Sequence, residues 1–263
     1  DGTEYLWQGD KASWADRAPV LFPFCGRLWE GKCTDAGIPC NPGVHGFLRF
    51  MTTEVTEKSD TSVTFRARDN VETLKNYPYP FEVRLTFSLQ DRTLTTRTEI
   101  VNRGERVMPF ALGLHPGFSL PFVGGTIGDY TVRFEGATGI LQRLNFDEGE
   151  CFPTGGSRDF PLRDGEFFDP TDDFFEAGSA FFCEMPRSVM LEKRETDRRI
   201  AMVFPDFRYF GLWKVPGARF LCMEPWTSLP TLHGVVTELT EKPDLIRLAA
   251  GEQKSLLCTV TFC

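Results

Sequence analysis

Near its carboxyl end the chain runs Phe220-Leu221-Cys222-Met223-Glu224-Pro225-Trp226, with one ionisable carboxylate in an otherwise apolar run. A strand that begins Arg219-Phe-Leu-Cys-Met is written for burial, and a carboxylate at its end is costly unless it is paired or used. Histidine is scarce, three in 263 residues. His45 lies in Gly43-Val44-His45-Gly46-Phe47, His115 in Leu112-Gly113-Leu114-His115-Pro116-Gly117, and His233 in Thr231-Leu232-His233-Gly234. An imidazole with an ordinary pKa near about 6.5, set where a strand must turn, together with a buried carboxyl, would make a proton donor and a proton acceptor at neutral pH. Each also fits a quieter role. A histidine beside Pro-Gly suits a turn or the core, a glutamate in an apolar strand suits a structural ion pair, and His45 and His233 suit loop positions.

Other side chains can bind rather than react. Arg27 follows the apolar turn Phe22-Pro23-Phe24-Cys25-Gly26, where the glycine lets the backbone come close to a ligand. Its fork of donors matches vicinal hydroxyls or a carboxylate, or else a salt bridge that pins the loop, and Arg49 reads the same way. Trp213 and the many phenylalanines are mainly core material, although aromatic faces also make platforms for the apolar faces of sugars. The acidic stretch Asp169 to Glu176 reads as a solvated loop.

The elements that must position these residues are strands. Ser62-Val-Thr-Phe-Arg-Ala-Arg, Phe81-Glu-Val-Arg-Leu-Thr-Phe-Ser-Leu and Thr93-Leu-Thr-Thr-Arg-Thr-Glu-Ile-Val alternate with period two. Further strands are expected at Tyr130–Phe134, Ser188–Glu192, Arg199–Phe204, Tyr209–Trp213 and Ser255–Phe262, with turns at Asn102-Arg-Gly, Gln90-Asp-Arg, Thr196-Asp and Pro216-Gly. No long stretch keeps a 3.6-residue period, so helices should be short and few. No low-complexity linker or repeat divides the chain. The expectation is an all-β protein, one domain over residues 1–263, built as a large sandwich of antiparallel sheets.

Composition sets outer limits. With 41% hydrophobic and 25% charged residues the chain can bury a sizeable core. A net charge of −8 argues against nucleic acid and anionic membrane surfaces as partners. No window approaches the roughly 18 apolar residues of a membrane helix, and the start shows no secretory pattern. The eight cysteines show no C-x₂-C spacing, and several sit inside apolar strands, which reads as reduced thiols in a cytoplasmic protein.

Six stretches together carry a resemblance. Leu21-Phe-Pro-Phe-Cys-Gly-Arg27, His45-Gly-Phe-Leu-Arg49, Tyr77-Pro-Tyr-Pro-Phe81, Pro109-Phe-Ala-Leu-Gly-Leu-His-Pro-Gly-Phe118, Tyr209-Phe-Gly-Leu-Trp213 and Phe220-Leu-Cys-Met-Glu-Pro-Trp226 occur in the order found in the aldose 1-epimerase (mutarotase) superfamily. The chain resembles most its LacX-like branch. The resemblance implies a β-supersandwich with a sugar cleft across one sheet, and interconversion of the anomers of a hexose without metal or cofactor. It implies His115 as general acid toward the ring oxygen and Glu224 as general base toward the anomeric hydroxyl. Arg27 and His45 match the positions that hold the sugar, with Arg49 and Trp213 as further substrate-binding candidates. The partner is then a small-molecule sugar, and the protein a monomer or homodimer.

Two departures accompany the likeness. Relatives grip sugar hydroxyls with an acidic residue lying between the second histidine and the glutamate. Its counterpart should fall near Asp172, Asp173 or Glu176, or its place is taken by Gly178. Relatives also carry a strand or two ahead of the segment Gly2-Thr-Glu-Tyr-Leu-Trp7. The alternatives are a hexose-6-phosphate 1-epimerase, which needs Arg or Lys at the cleft rim, with Arg27 and Arg49 as its candidates, and a non-catalytic sugar-binding or sensing module.

Overall fold

In a computed structural model, which describes residues 2–147, 149 and 151–263, the alternating segments form the strands expected of them. Among the described residues one antiparallel sheet has nine strands. In spatial order they are Phe167–Phe168, Tyr130–Phe134, Ser188–Lys193, Arg199–Val203, Gln253–Phe262, Thr93–Asn102, Phe81–Gln90, Ser62–Arg68 and Glu54–Lys58. Period-two patterning does its work here: in Gln253–Phe262 the side chains of Leu256, Cys258 and Val260 are buried and the intervening ones are partly exposed. The α-helices are Val71–Asn76 and Asp172–Phe175, both short.

A second sheet, of eight strands, carries the candidate residues. Its path runs Val20–Leu21, Gly113–Leu114, Phe220–Trp226, Tyr209–Trp213, Ala180–Cys183, Ile140–Phe146 and Pro153–Pro161, with Gly117–Ser119 also pairing to Phe220–Trp226. The two sheets share one cluster of buried side chains. Phe134 of the nine-stranded sheet meets Phe182 and Phe210 of the eight-stranded sheet with ring centroids 5.5 and 6.0 Å apart. Such aromatic pairs fix how one sheet sits on the other.

The strand that holds Glu224 differs from expectation in one respect. It does not end at the glutamate but continues through Trp226, buried along its whole length. Alternation puts Leu221 and Met223 toward the core and Cys222, Glu224 and Trp226 on the opposite face. Gly211 stands directly across from Glu224 in the next strand. A Cβ at Gly211 would lie 2.6 Å from Cε1 of Phe181, so glycine leaves room for an aromatic ring beside the carboxyl.

Two loops are tied together beneath the sheet edge. The Phe22 carbonyl accepts the N–H groups of Phe47 and Leu48 at 2.9 and 3.2 Å, and the His45 N–H donates to the Gly26 carbonyl at 2.8 Å. Gly46 makes the approach feasible. Its φ is +67°, and a Cβ there would fall 2.0 Å from the Phe22 carbonyl oxygen. Gly46→Ala should therefore cost on the order of 3 kcal/mol or more, through strain and clash together. Urea titration checks this, and an unchanged midpoint would show that the loop junction is not rigid.

Candidate active site

The eight-stranded sheet and the tied loops bring five of the six expected site residues around one cavity of about 190 Å³: His115, Glu224, Arg27, His45 and Trp213. His115 leaves the short strand Gly113–Leu114, and its N–H donates to the Pro19 carbonyl at 3.1 Å, which fixes the turn the Pro-Gly pair signalled. Its Nε2 lies 3.2 Å from Oε2 of Glu224. Both residues are nearly out of water, His115 8% exposed and Glu224 2%.

Burial pushes the Glu224 carboxyl well above the usual carboxylate range. Burial also pushes the His115 imidazolium well below its usual range, with the nearby His45 and Arg49 adding to the effect. A lone charge on either residue is thus disfavoured, while the contact accommodates one proton shared between them. Imidazolium with carboxylate and imidazole with carboxylic acid are the two forms of that one-proton pair. Such a pair can release a proton from one atom while accepting one at the other.

His45 is set up as a neutral donor. The Gly26 N–H donates to its Nδ1 at 3.1 Å, which leaves the ring proton on Nε2, available to the cavity. Burial, helped by Arg49 and Arg27, lowers its pKa to about 4. The His45 backbone itself sits at φ +62°, a conformation held by the two bonds to Gly26.

Arg49 does not join the cavity. It lies in the single 3-10 turn Leu48–Phe50, where its Nη1 donates to Asp16 Oδ2 at 2.8 Å and its guanidinium lies 4.5 Å from the Phe50 ring centre. It borders a separate groove of about 350 Å³ whose walls include Phe65, Val83, Leu85 and Phe87 and no histidine. Arg27, by contrast, lines the cavity and is exposed. The acidic stretch contributes no lining carboxylate. Asp172 instead pairs with the buried ammonium of Lys214, and Ser179 is the residue of that region that reaches the cavity.

Several lining residues carried no signal in the sequence. Trp14 comes from the irregular amino-terminal segment, Cys151 and Ser179 from loops, and Pro230 from an irregular segment packed against Gly26. Trp226 was legible in principle, since it shares a strand face with Glu224 at a spacing of two. Among the described residues one cluster has metal-ligating types, His115, Cys222 and Glu224, with ligand atoms within 4.8 Å of one another. Coordination of an ion there would engage both the imidazole and the carboxyl, leaving neither free to carry a proton.

A linkage prediction follows from His45. Its pKa is near 6.5 in the unfolded chain and about 4 when folded. As pH falls from about 6.5 toward 4 the unfolded chain takes up a proton that the folded chain refuses, and stability declines by roughly 3 kcal/mol from this residue. Urea unfolding of wild type and His45→Asn across pH 4 to 8 checks the sign. The difference between them should grow with pH up to about 6.5 and then level off.

With the geometry in hand, known proteins can be compared. The sequence profile of the family described as aldose 1-epimerase matches residues 1–233. The chain is 30% identical to the chromosomal LacX protein of Lactococcus lactis subsp. lactis over 257 residues, covering 94% of this chain and 86% of that one. Its fold is similar to a galactose mutarotase-like protein from Lactobacillus casei, with a TM-score of 0.91, 30% identity, and coverage of 98% and 89% of the two chains. A galactose mutarotase related enzyme from Lactobacillus acidophilus gives the same TM-score of 0.91 at 26% identity, with 98% and 87% covered. On these matches, and with the mutarotase-like sandwich it folds into, the chain belongs to the aldose 1-epimerase family.

Proposed function

We propose that this protein interconverts the α and β anomers of a hexose by acid–base opening and closing of the sugar ring. The observation that carries the reading is the buried contact of His115 Nε2 with Glu224 Oε2, 3.2 Å apart at a cavity suited to one small ligand. Glu224, as carboxylate, takes the proton of the anomeric hydroxyl while His115, as imidazolium, gives one to the ring oxygen. The C1–O5 bond breaks, O1 becomes the aldehyde oxygen, and the C1–C2 bond rotates. Closure runs the same steps backward: the C5 hydroxyl oxygen attacks C1, its proton returns to His115, and Glu224 protonates O1. No net proton, electron or atom is gained or lost.

Binding falls to the remaining groups. Arg27 and the Nε2–H of His45 donate to hydroxyls and the ring oxygen, and Trp213 offers an aromatic face. Among the described lining residues Glu224 is the only carboxylate. Ser179 stands in that region, and among the described lining residues the groups besides Glu224 that meet hydroxyls are neutral ones and one guanidinium.

The test is polarimetric. Freshly dissolved α-D-glucose and α-D-galactose should mutarotate faster with the protein, and Glu224→Gln and His115→Asn should each lower the enzymatic rate by on the order of 10²- to 10⁴-fold. Acceleration confined to phosphorylated hexoses, followed by NMR, would move the assignment to a hexose-6-phosphate epimerase. Sugar binding with no acceleration of any anomer would leave a binding module. A second expectation concerns Arg27→Ala, which should raise KM about tenfold or more with a smaller change in kcat, because it removes contacts made in ground and transition states alike.

A further inference from the structure

We propose that Trp14 is the positioning residue of the acid–base pair, its indole face steadying the His115 ring and favouring the imidazolium that delivers the proton. The inference deepens the function proposed above, and its catalytic half rests on that reading. Trp14 belongs to no strand. It ends a turn in which the Ala12 N–H donates to Asp10 Oδ1 and the Trp14 N–H to the Asp10 carbonyl, both at 2.9 Å. Trp7 ties this turn to the sheet. Its Nε1–H donates to the Trp14 carbonyl at 2.8 Å, and its own N–H to the Gly117 carbonyl at 2.9 Å. The turn is thereby anchored two residues from His115.

There the Trp14 and His115 rings stack, with centroids 5.0 Å apart and planes inclined by 29°. Trp213 meets both edge-on, at 5.5 Å from Trp14 and 5.7 Å from His115. Gly117 makes the stack sterically feasible. A Cβ there would lie 2.8 Å from Cζ3 of Trp14 and 3.1 Å from Cβ of Trp7, so glycine is required for room rather than for an unusual backbone angle.

A second observation gives the stack a chemical role. Nδ1 of His115 is buried and has no hydrogen-bond partner. A histidine that cycles between charged and neutral forms ordinarily has an acceptor at its far nitrogen to steady the positive form. Around this ring stand Glu224 at Nε2, His45 with centroids 5.6 Å away, Cys222 within the same cluster, and Arg49, whose charge opposes an imidazolium. Among these surroundings Glu224, the backbone of His115 itself and the face of Trp14 favour the positive ring. An aromatic face attracts a cation within about 6 Å, and more strongly out of water. Glu224 loses its charge as it takes the anomeric proton, whereas the attraction of the indole does not depend on that charge.

The experiment replaces Trp14 alone by a graded series of fluorinated tryptophans, which drain negative charge from the ring face while nearly preserving its shape, and adds Trp14→Phe and Trp14→Leu. Two readouts are taken: kcat for anomer interconversion, and the ¹⁵N shifts of the His115 ring across pH. With three histidines in the chain, single His→Asn variants assign the signals. The imidazolium population of His115 and kcat should fall together along the fluorinated series, and Trp14→Leu should lose about tenfold in kcat with little change in KM. A His115 charge state that stays flat across the series overturns the proposal, even if Trp14→Leu lowers kcat, because a space-filling role alone explains that pattern. If no sugar is turned over, the ¹⁵N readout still decides whether Trp14 acts on His115, and the failure belongs to the function reading.

Discussion

An imidazole and a carboxyl 3.2 Å apart, both withdrawn from water, impose conditions on everything around them. Neither tolerates burial as an isolated charge, so each is viable only while the other can share its proton. Holding the contact takes a rigid base. The carboxyl is supplied from inside a fully buried strand and the imidazole from a turn pinned by the Pro19 carbonyl. The glycines across from and beside these residues, Gly211 and Gly117, are where aromatic rings are admitted against the pair. The sandwich supplies an immobile floor, and the loops supply the walls.

Charge near the pair is kept in order by local neutralisation. Three cations in the surroundings have their own carboxylates: Arg49 with Asp16, Lys214 with Asp172, and Lys242 with Asp244. His45 is held neutral by burial and by its acceptance of the Gly26 N–H. Among the described lining residues that leaves Arg27 as the one permanent cation facing the cavity. A single guanidinium beside a neutral donor suits polyhydroxylic ligands, which need directional hydrogen bonds more than net charge.

How much was legible in the sequence depended on whether a residue sat in a periodic element. Ser62–Arg68, Phe81–Gln90 and Thr93–Asn102 announce themselves because one face is buried and the other wet. Glu224 and His115 stood out as candidates because an ionisable group in an apolar run, or beside Pro-Gly, needs a reason, whether structural or chemical. The six motifs in order then gave those groups their partners. The hairpin Ile140–Phe146 with Pro153–Pro161 escaped, since Gly155 and Gly156 and a largely exposed second strand break the pattern. Arg49 was expected at the cavity because it closes the His45 motif. Spacing along a loop does not fix side-chain direction, and Asp16, far away in sequence, holds it in the neighbouring groove. Trp14 and Ser179 reach the site from segments whose path is set by hydrogen bonds and packing between distant parts of the chain, which a single sequence does not display.

The most direct measurement is two-dimensional exchange NMR between the α and β anomeric protons of a hexose, at matched bound fraction, with wild type and the double variant His115→Asn, Glu224→Gln. Exchange cross-peaks should grow with wild-type concentration and vanish with the double variant, while line broadening from sugar binding persists. Exchange that survives in the double variant would contradict the assignment of the chemistry to this buried pair.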